Sequence, residues 1–162
     1  MPRESKATVA YSPPFGYDMC ARRVRPGDIA SYDLSRWRIA GVGAEPILPS
    51  VLTHFAETLA PAGFDARAFV PSYGMAEASL AVSFAPLDTG MVVDWIDPTD
   101  LADRLLATPV AEGQGTGFVR CGGVIAGHDL EIRDDAGRVL PERHVGRILV
   151  RGPSLMSAYF EQ

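Results

Sequence analysis

The residues with chemistry to offer gather in two short clusters. Tyr73-Gly74-Met75-Ala76-Glu77 joins an aromatic ring and a carboxylate across flexible backbone. Gly43-Ala44-Glu45-Pro46 supplies a second glycine-bearing turn with its own carboxylate. Each cluster follows a short apolar run and precedes a helical pattern, so each is expected to form a loop at the carboxyl end of a strand. Loops of that kind from neighbouring parallel strands open on one sheet edge, where open α/β sheets take ligands. Tyr73 there is either a packed loop tyrosine or a platform for a flat base; a base stacked on such a ring gains about 1–3 kcal/mol. Glu77 is either a helix-start carboxylate complementing the helix dipole or a magnesium ligand, since that hard ion takes one or two carboxylates plus phosphate oxygens. Glu45 has the same two readings, the structural one being to trim the start of the helix entered near Pro46 to Pro49. The pair of clusters reads as a nucleotide seat.

The flanking patterns must position these loops. Trp37 to Val42 is an apolar run expected as a buried strand, with Gly43-Ala44-Glu45-Pro46 as its turn. Pro49 opens a helix in which Leu52, Phe55, Ala56 and Leu59 recur at helical spacing, ended by Pro61-Ala62-Gly63. Ala68-Phe69-Val70 is the second strand, and a helix is expected from Met75 or Ala76 towards Ser79. A strand–helix–strand connection of this kind is right-handed in nearly all proteins, which turns both strand ends towards one crevice. Upstream, Asp18 to Arg25 carries a short helical pattern with arginines near its end, stopped by Pro26-Gly27. After Ala85-Pro86 the character changes. Met91 to Ile96 is expected as a strand, Asp100 to Leu106 as a short helix and Ala111 to Gly117 as a loop. From Phe118 the pattern is all-β, with Leu130 and Ile132 alternating with charged residues, a hairpin signal at Asp134-Asp135-Ala136-Gly137, and a strand around Ile148 and Val150.

Composition narrows the partners. The 162 residues are 47% apolar with net charge -5 and no basic block, which argues against nucleic acid. No apolar run reaches the roughly 20 residues of a membrane span, and Met1 to Thr8 carry no secretory signal, so a cytoplasmic location is expected. Cys20 and Cys121 lack metal spacing and are expected as small buried thiols. Fourteen of the fifteen basic residues are arginine, Lys6 being the exception. No G-x-x-x-x-G-K-[ST] loop is present, and Gly113 to Gly117 precedes a strand pattern, so it reads as a turn. His54, His128 and His144 are scattered and read as surface or loop histidines. Ser154 lacks the second glycine of a nucleophile elbow. Leu155, Met156, Tyr159 and Phe160 are apolar groups that something is expected to cover, through self-association or another surface.

Six segments in order resemble the adenylate-forming superfamily, in its fatty acyl-AMP ligase and acyl-CoA synthetase branch. They are Tyr11 to Arg23, Leu34 to Arg38, Gly43 to Pro46, Pro71 to Ala78, Cys121-Gly122, and Val145 to Ser154. The resemblance implies a fatty acid carboxylate attacking the α-phosphate of ATP, then transfer of the acyl group to the phosphopantetheine thiol of an acyl carrier protein or coenzyme A. It implies that Gly43, Ala44, Glu45 and Pro46 flank adenine, and that Tyr73 stacks on it. It further implies that Ser72, Gly74, Met75 and Ala76 lie along the adenylate, that Glu77 binds Mg2+, and that Tyr17 and Met19 wall the acyl channel. The implied fold is an α/β lobe on a mostly parallel sheet over residues 1–110, carrying the adenine-binding loops, and a partial β-barrel subdomain over 111–162. Ala76 stands where many members have threonine, Ala158 replaces a glycine, and Ala126 replaces a proline. The family's phosphate loop, ribose-binding aspartate and catalytic lysine have no counterpart here, so the chain resembles the central third of such an enzyme. Alone it is expected not to catalyse. The alternative is a non-catalytic module that keeps the fold and binds a partner chain.

Overall fold

The computed structural model describes residues 7–160; Lys6, the rest of residues 1–6, and residues 161 and 162 lie outside the described residues. The chain begins with strand β1 (Val9–Ser12), helix α1 (Pro14–Arg23), a single helical turn α2 (Pro26–Ile29), strand β2 (Ile39–Val42), helix α3 (Pro49–Leu59) and strand β3 (Phe69–Tyr73). It continues through β4 (Ser83–Phe84), β5 (Val93–Ile96), α4 (Pro98–Arg104), β6 (Thr116–Val119), β7 (Gly123–Val124), β8 (Asp129–Arg133) and β9 (Arg147–Arg151).

Proline sets several of these boundaries. Pro14, Pro26, Pro49 and Pro98 each lie in a first helical turn, where a fixed φ suits the helix and a missing N–H is no loss. Hence α1 starts at Pro14 rather than Asp18, and Pro26 opens α2 instead of only closing the helix before it. Helix α3 ends through a 3-10 turn, Ala60–Ala62, and Gly63 at φ 84°, the left-handed conformation that glycine adopts most freely.

The main sheet has the order β1-β2-β3-β4-β7. β1 runs parallel to β2 and β2 parallel to β3, with Tyr11 opposite Gly41 and Val42 opposite Pro71. β3 and β4 are antiparallel, as are β4 and β7. The sheet is therefore mixed, not mostly parallel. After Tyr73 the chain makes only a 3-10 turn, Ala76–Ala78, with Ser79 and Leu80 at positive φ. So short a link reverses the chain, because a parallel return needs a crossover of a dozen residues or more.

One core lies where α1 and α3 pack against each other and against β2 and β3. Tyr17, Phe55, Phe64 and Phe69 meet edge to face with ring centroids 4.9 Å (Tyr17–Phe55), 5.0 Å (Phe55–Phe64) and 5.1 Å (Phe64–Phe69) apart, the geometry that aromatic quadrupoles favour. Trp37, expected to begin a strand, instead joins this cluster just ahead of β2 and donates its indole N–H to the Ile39 carbonyl at 2.8 Å.

Among the described residues no sheet closes into a barrel. β5 forms a two-stranded antiparallel ladder with β6 and β8 one with β9, with single bridges from Ile96 to Pro109 and from Arg133 to Val139, while β7 joins the main sheet. Closure would require every strand to have a neighbour on both sides. The Asp134 to Gly137 turn does form, its Asp134 carboxylate accepting from the Ala136 and Arg138 amides at 3.0 and 2.8 Å, but β9 starts only at Arg147. Cys20 is exposed on α1, against the buried thiol expected, because it lies off the face that Tyr17 and Ala21 present to the core; Cys121 is half-buried, and neither is in a disulfide. Met156, Tyr159 and Phe160 remain exposed. Among the described residues no helix is long and apolar enough to cross a membrane.

Candidate functional site

The tips of β2 and β3 touch. The Ser72 hydroxyl donates to the Val42 carbonyl at 3.1 Å, and a Cβ on Gly43 would fall 2.8 Å from the Ser72 carbonyl and hydroxyl oxygens. Glycine alone permits that approach. At Gly74 the constraint is stronger, since a Cβ would lie 1.4 Å from the Leu80 carbonyl oxygen. Ala44 sits at φ 70° and Leu80 at φ 78°, and non-glycine residues so placed concentrate at functional sites.

Between these tips opens a cleft of about 610 Å3. Gly43 and Ala44 line one side, and Ser72, Tyr73, Gly74, Met75 and Ala76 the other. Seven of the residues singled out from sequence thus share one concavity. Tyr11, Ser12, Pro13, Leu80, Ala81 and Phe84 complete it. Tyr11 carries no local sequence signal for a role in the site. Its partner across the ladder is Gly41, and a Cβ there would fall 2.0 Å from the Tyr11 ring. The ring therefore lies against bare β2 backbone, 59% exposed. An aromatic residue facing a glycine on a neighbouring strand was the available signal, legible only once the register was known. Among the described residues no lining residue is charged.

The other sequence candidates are not part of that lining. Glu45 accepts a hydrogen bond from the Phe15 amide at 2.8 Å. It caps the amino end of α1, thirty residues away, rather than trimming α3, because an opening N–H has no partner within its own helix. Pro46 follows it outside the cleft. Tyr17 is 2% exposed in the ring cluster and donates to the Gly41 carbonyl at 2.9 Å; burial holds its phenol well above the ordinary tyrosine range. Met19 is partly exposed on α1.

Glu77 lies in the 3-10 turn beside the cleft. Its Oε1 accepts from the Tyr159 hydroxyl, and that hydrogen bond, followed by its own backbone N–H, holds the carboxyl below its usual range. Further contacts tie this turn to the segment after β9. The Met156 amide donates to the Glu77 carbonyl at 2.8 Å. Ser79 Oγ donates to the Ser154 carbonyl at 3.1 Å, and Ser154 Oγ to the Ala78 carbonyl at 3.0 Å. With its proton so used, Ser154 Oγ accepts from His128 Nε2 at 2.7 Å. His128 is 9% exposed, a buried loop histidine rather than a surface one, and a Cβ on Gly152 would fall 2.0 Å from its ring. Ser154 is thus a strut.

Among the described residues no three His, Cys, Asp or Glu side chains gather into a metal cage. Glu77 follows the lining residue Ala76 and offers a carboxylate beside the cleft, with Oε2 free of any side-chain donor among the described residues. That donor set fits a magnesium ion completed by substrate phosphates and water.

The comparisons with known proteins agree with this geometry. The AMP-binding enzyme family matches residues 2–160. A candidate acyl-CoA synthetase of Caulobacter vibrioides is 52% identical over 158 residues, covering 96% of this chain and 28% of that protein. A medium-chain-fatty-acid (acyl-carrier-protein) ligase of Teredinibacter turnerae is 33% identical, covering 96% and 24%. Among solved structures, one from a study of fatty acyl-adenylate ligases of E. coli and L. pneumophila superposes with TM-score 0.92 at 46% identity, over 97% of this chain and 29% of that one. The L. pneumophila fatty acyl-adenylate ligase in complex with acyl adenylate and pyrophosphate gives 0.88 at 30% identity, over 97% and 28%. The chain spans 24–29% of the length of these relatives. With two strand tips meeting over an uncharged aromatic cleft, and matches along nearly all its described length, the chain belongs to the AMP-binding, fatty acyl-adenylate ligase superfamily.

Proposed function

We propose that this chain supplies the adenine-binding wall of an enzyme that activates a fatty acid as acyl-AMP. The acyl group then passes to a phosphopantetheine thiol, the arm common to acyl carrier proteins and coenzyme A. The observation that carries the reading is the cleft lined by Tyr73 together with the Gly43–Ala44 turn, with no charged residue among its described lining. Such a surface suits a flat heteroaromatic base and suits a triphosphate poorly, since phosphoryl charge calls for placed cations and donors. Tyr73 stacks on the base, the 43–46 turn borders its edge, and Ser72, Gly74, Met75 and Ala76 run beside the ribose and α-phosphate. Met19 offers apolar surface to the acyl chain, and Tyr17 serves the same side from behind by fixing the Gly41 carbonyl. Glu77 holds Mg2+, which when bound offsets phosphate charge. The chain by itself binds without turning over, because no lysine or arginine lines the cleft among the described residues.

Titration calorimetry with AMP tests the reading. The expected result is measurable binding that Tyr73→Ala weakens about tenfold or more, from a stacking contribution of about 1–3 kcal/mol. No binding at millimolar AMP, with circular dichroism unchanged, overturns it in favour of a non-catalytic module.

A further inference from the structure

The 3-10 turn that carries Glu77 is held from far along the chain. Ser79 and Ala78 bond to Ser154, 75 and 76 residues away, and Glu77 bonds through its side chain to Tyr159, 82 residues away. His128 in turn is hydrogen-bonded to the Ser154 hydroxyl at 2.7 Å. Packing does not explain the place of Tyr159, since it is 57% exposed. Its hydroxyl has one partner among the described residues, Glu77 Oε1.

We propose that Tyr159 is a positioning residue for Glu77, holding Oε1 so that Oε2 faces a divalent cation at the cleft. The inference rests on Glu77 being the cation ligand, as put forward above. A ligating carboxylate left without its hydrogen-bond partner samples several rotamers, and only some present the second oxygen to the cleft. Loss of such an outer partner typically weakens metal binding 10- to 100-fold. Ser154 and His128 act on the backbone of the turn, whereas Tyr159 acts on the carboxylate itself, so the two roles separate experimentally.

The test is Mn2+ titration of the 15N-labelled chain, with and without AMP, read as paramagnetic broadening of the Ala76, Glu77 and Ala78 amides. In the wild-type chain these amides broaden. In Tyr159→Phe the Mn2+ concentration for half-broadening rises about tenfold, while amide exchange across residues 75–80 is unchanged. Glu77→Gln abolishes the effect, and adding Tyr159→Phe to Glu77→Gln changes nothing more. Three results overturn the inference: equal midpoints for Tyr159→Phe and wild type, no broadening at Glu77 in wild type, or faster exchange across 75–80 in Tyr159→Phe. Broadening without AMP binding would remove the nucleotide reading and leave this one. AMP binding without broadening would do the reverse.

Discussion

The helical lobe and the β8–β9 ribbon solve the same problem by different means. Under β2 and β3, Phe55, Leu52 and Val42 are wholly buried and the aromatic rings interlock. In the ribbon, Leu130, Ile148 and Leu149 are 36%, 42% and 41% exposed. The ribbon relies on its ladder and on surface ion pairs such as Arg151–Asp129 at 2.7 Å, Arg133–Glu131 at 2.5 Å and Arg147–Asp135 at 2.9 Å. Water screens such pairs, so hydrophobic burial in the lobe is what holds the fold. The ribbon has another use, because the segment after β9 reaches back to the turn beside the cleft. A region can matter to a site without contributing much to stability.

The sharpest way to break that contrast is to remove equivalent apolar bulk from each side. Phe55→Ala is expected to destabilise by about 3–5 kcal/mol in urea unfolding, while Ile148→Ala costs about 1 kcal/mol or less. Comparable losses would show that the ribbon belongs to the same cooperative core. Next in size is Tyr17→Phe, which removes the buried hydrogen bond from the phenol to the Gly41 carbonyl at a cost of about 0.5–1.5 kcal/mol. Its pH signature separates it from a packing defect. The folded phenol titrates above the ordinary tyrosine value of about 10. Above that value the unfolded chain releases a proton that the folded chain keeps, so this contribution is intact below pH 10 and is lost as pH rises further. Tyr17→Phe should therefore flatten the decline in stability measured from pH 9 to 11; an unaltered slope would assign the decline elsewhere. Smallest is Arg151→Ala, whose urea midpoint should match wild type within error at 0.15 M salt. A clear drop would mean that ribbon charges act as a network.

Much of the lobe was legible before any coordinates. Helix α3 announced itself through Leu52, Phe55, Ala56 and Leu59, because a face that must be buried repeats at the helical period. The strands through Val42 and Val70 were found for a similar reason, although β3 runs on through Ser72 and Tyr73 where a loop was expected; so was the meeting of their tips, which parallel neighbours impose. The reversal into β4 was not legible, since Ala76, Ser79 and Leu80 carry no strong turn signal and the bend rests on positive φ at residues that seldom adopt it. Glu45 was ambiguous for a plainer reason: its partner, the Phe15 amide, lies thirty residues back.

Local order in the chain was enough to specify which residue types could meet a nucleotide, and that they sit at strand ends, because side-chain periodicity and loop chemistry are nearest-neighbour properties. What Tyr11 faces, why Gly41 must lack a side chain, and how Tyr159 and Ser154 come to grip the Glu77 turn were settled only by tertiary packing. Those contacts join residues 30 to 82 positions apart, and no spacing rule spans such distances. They exist because strand register and burial of the shared core bring remote segments together, and burial is non-directional, so it leaves the choice of partners to the shape of the whole.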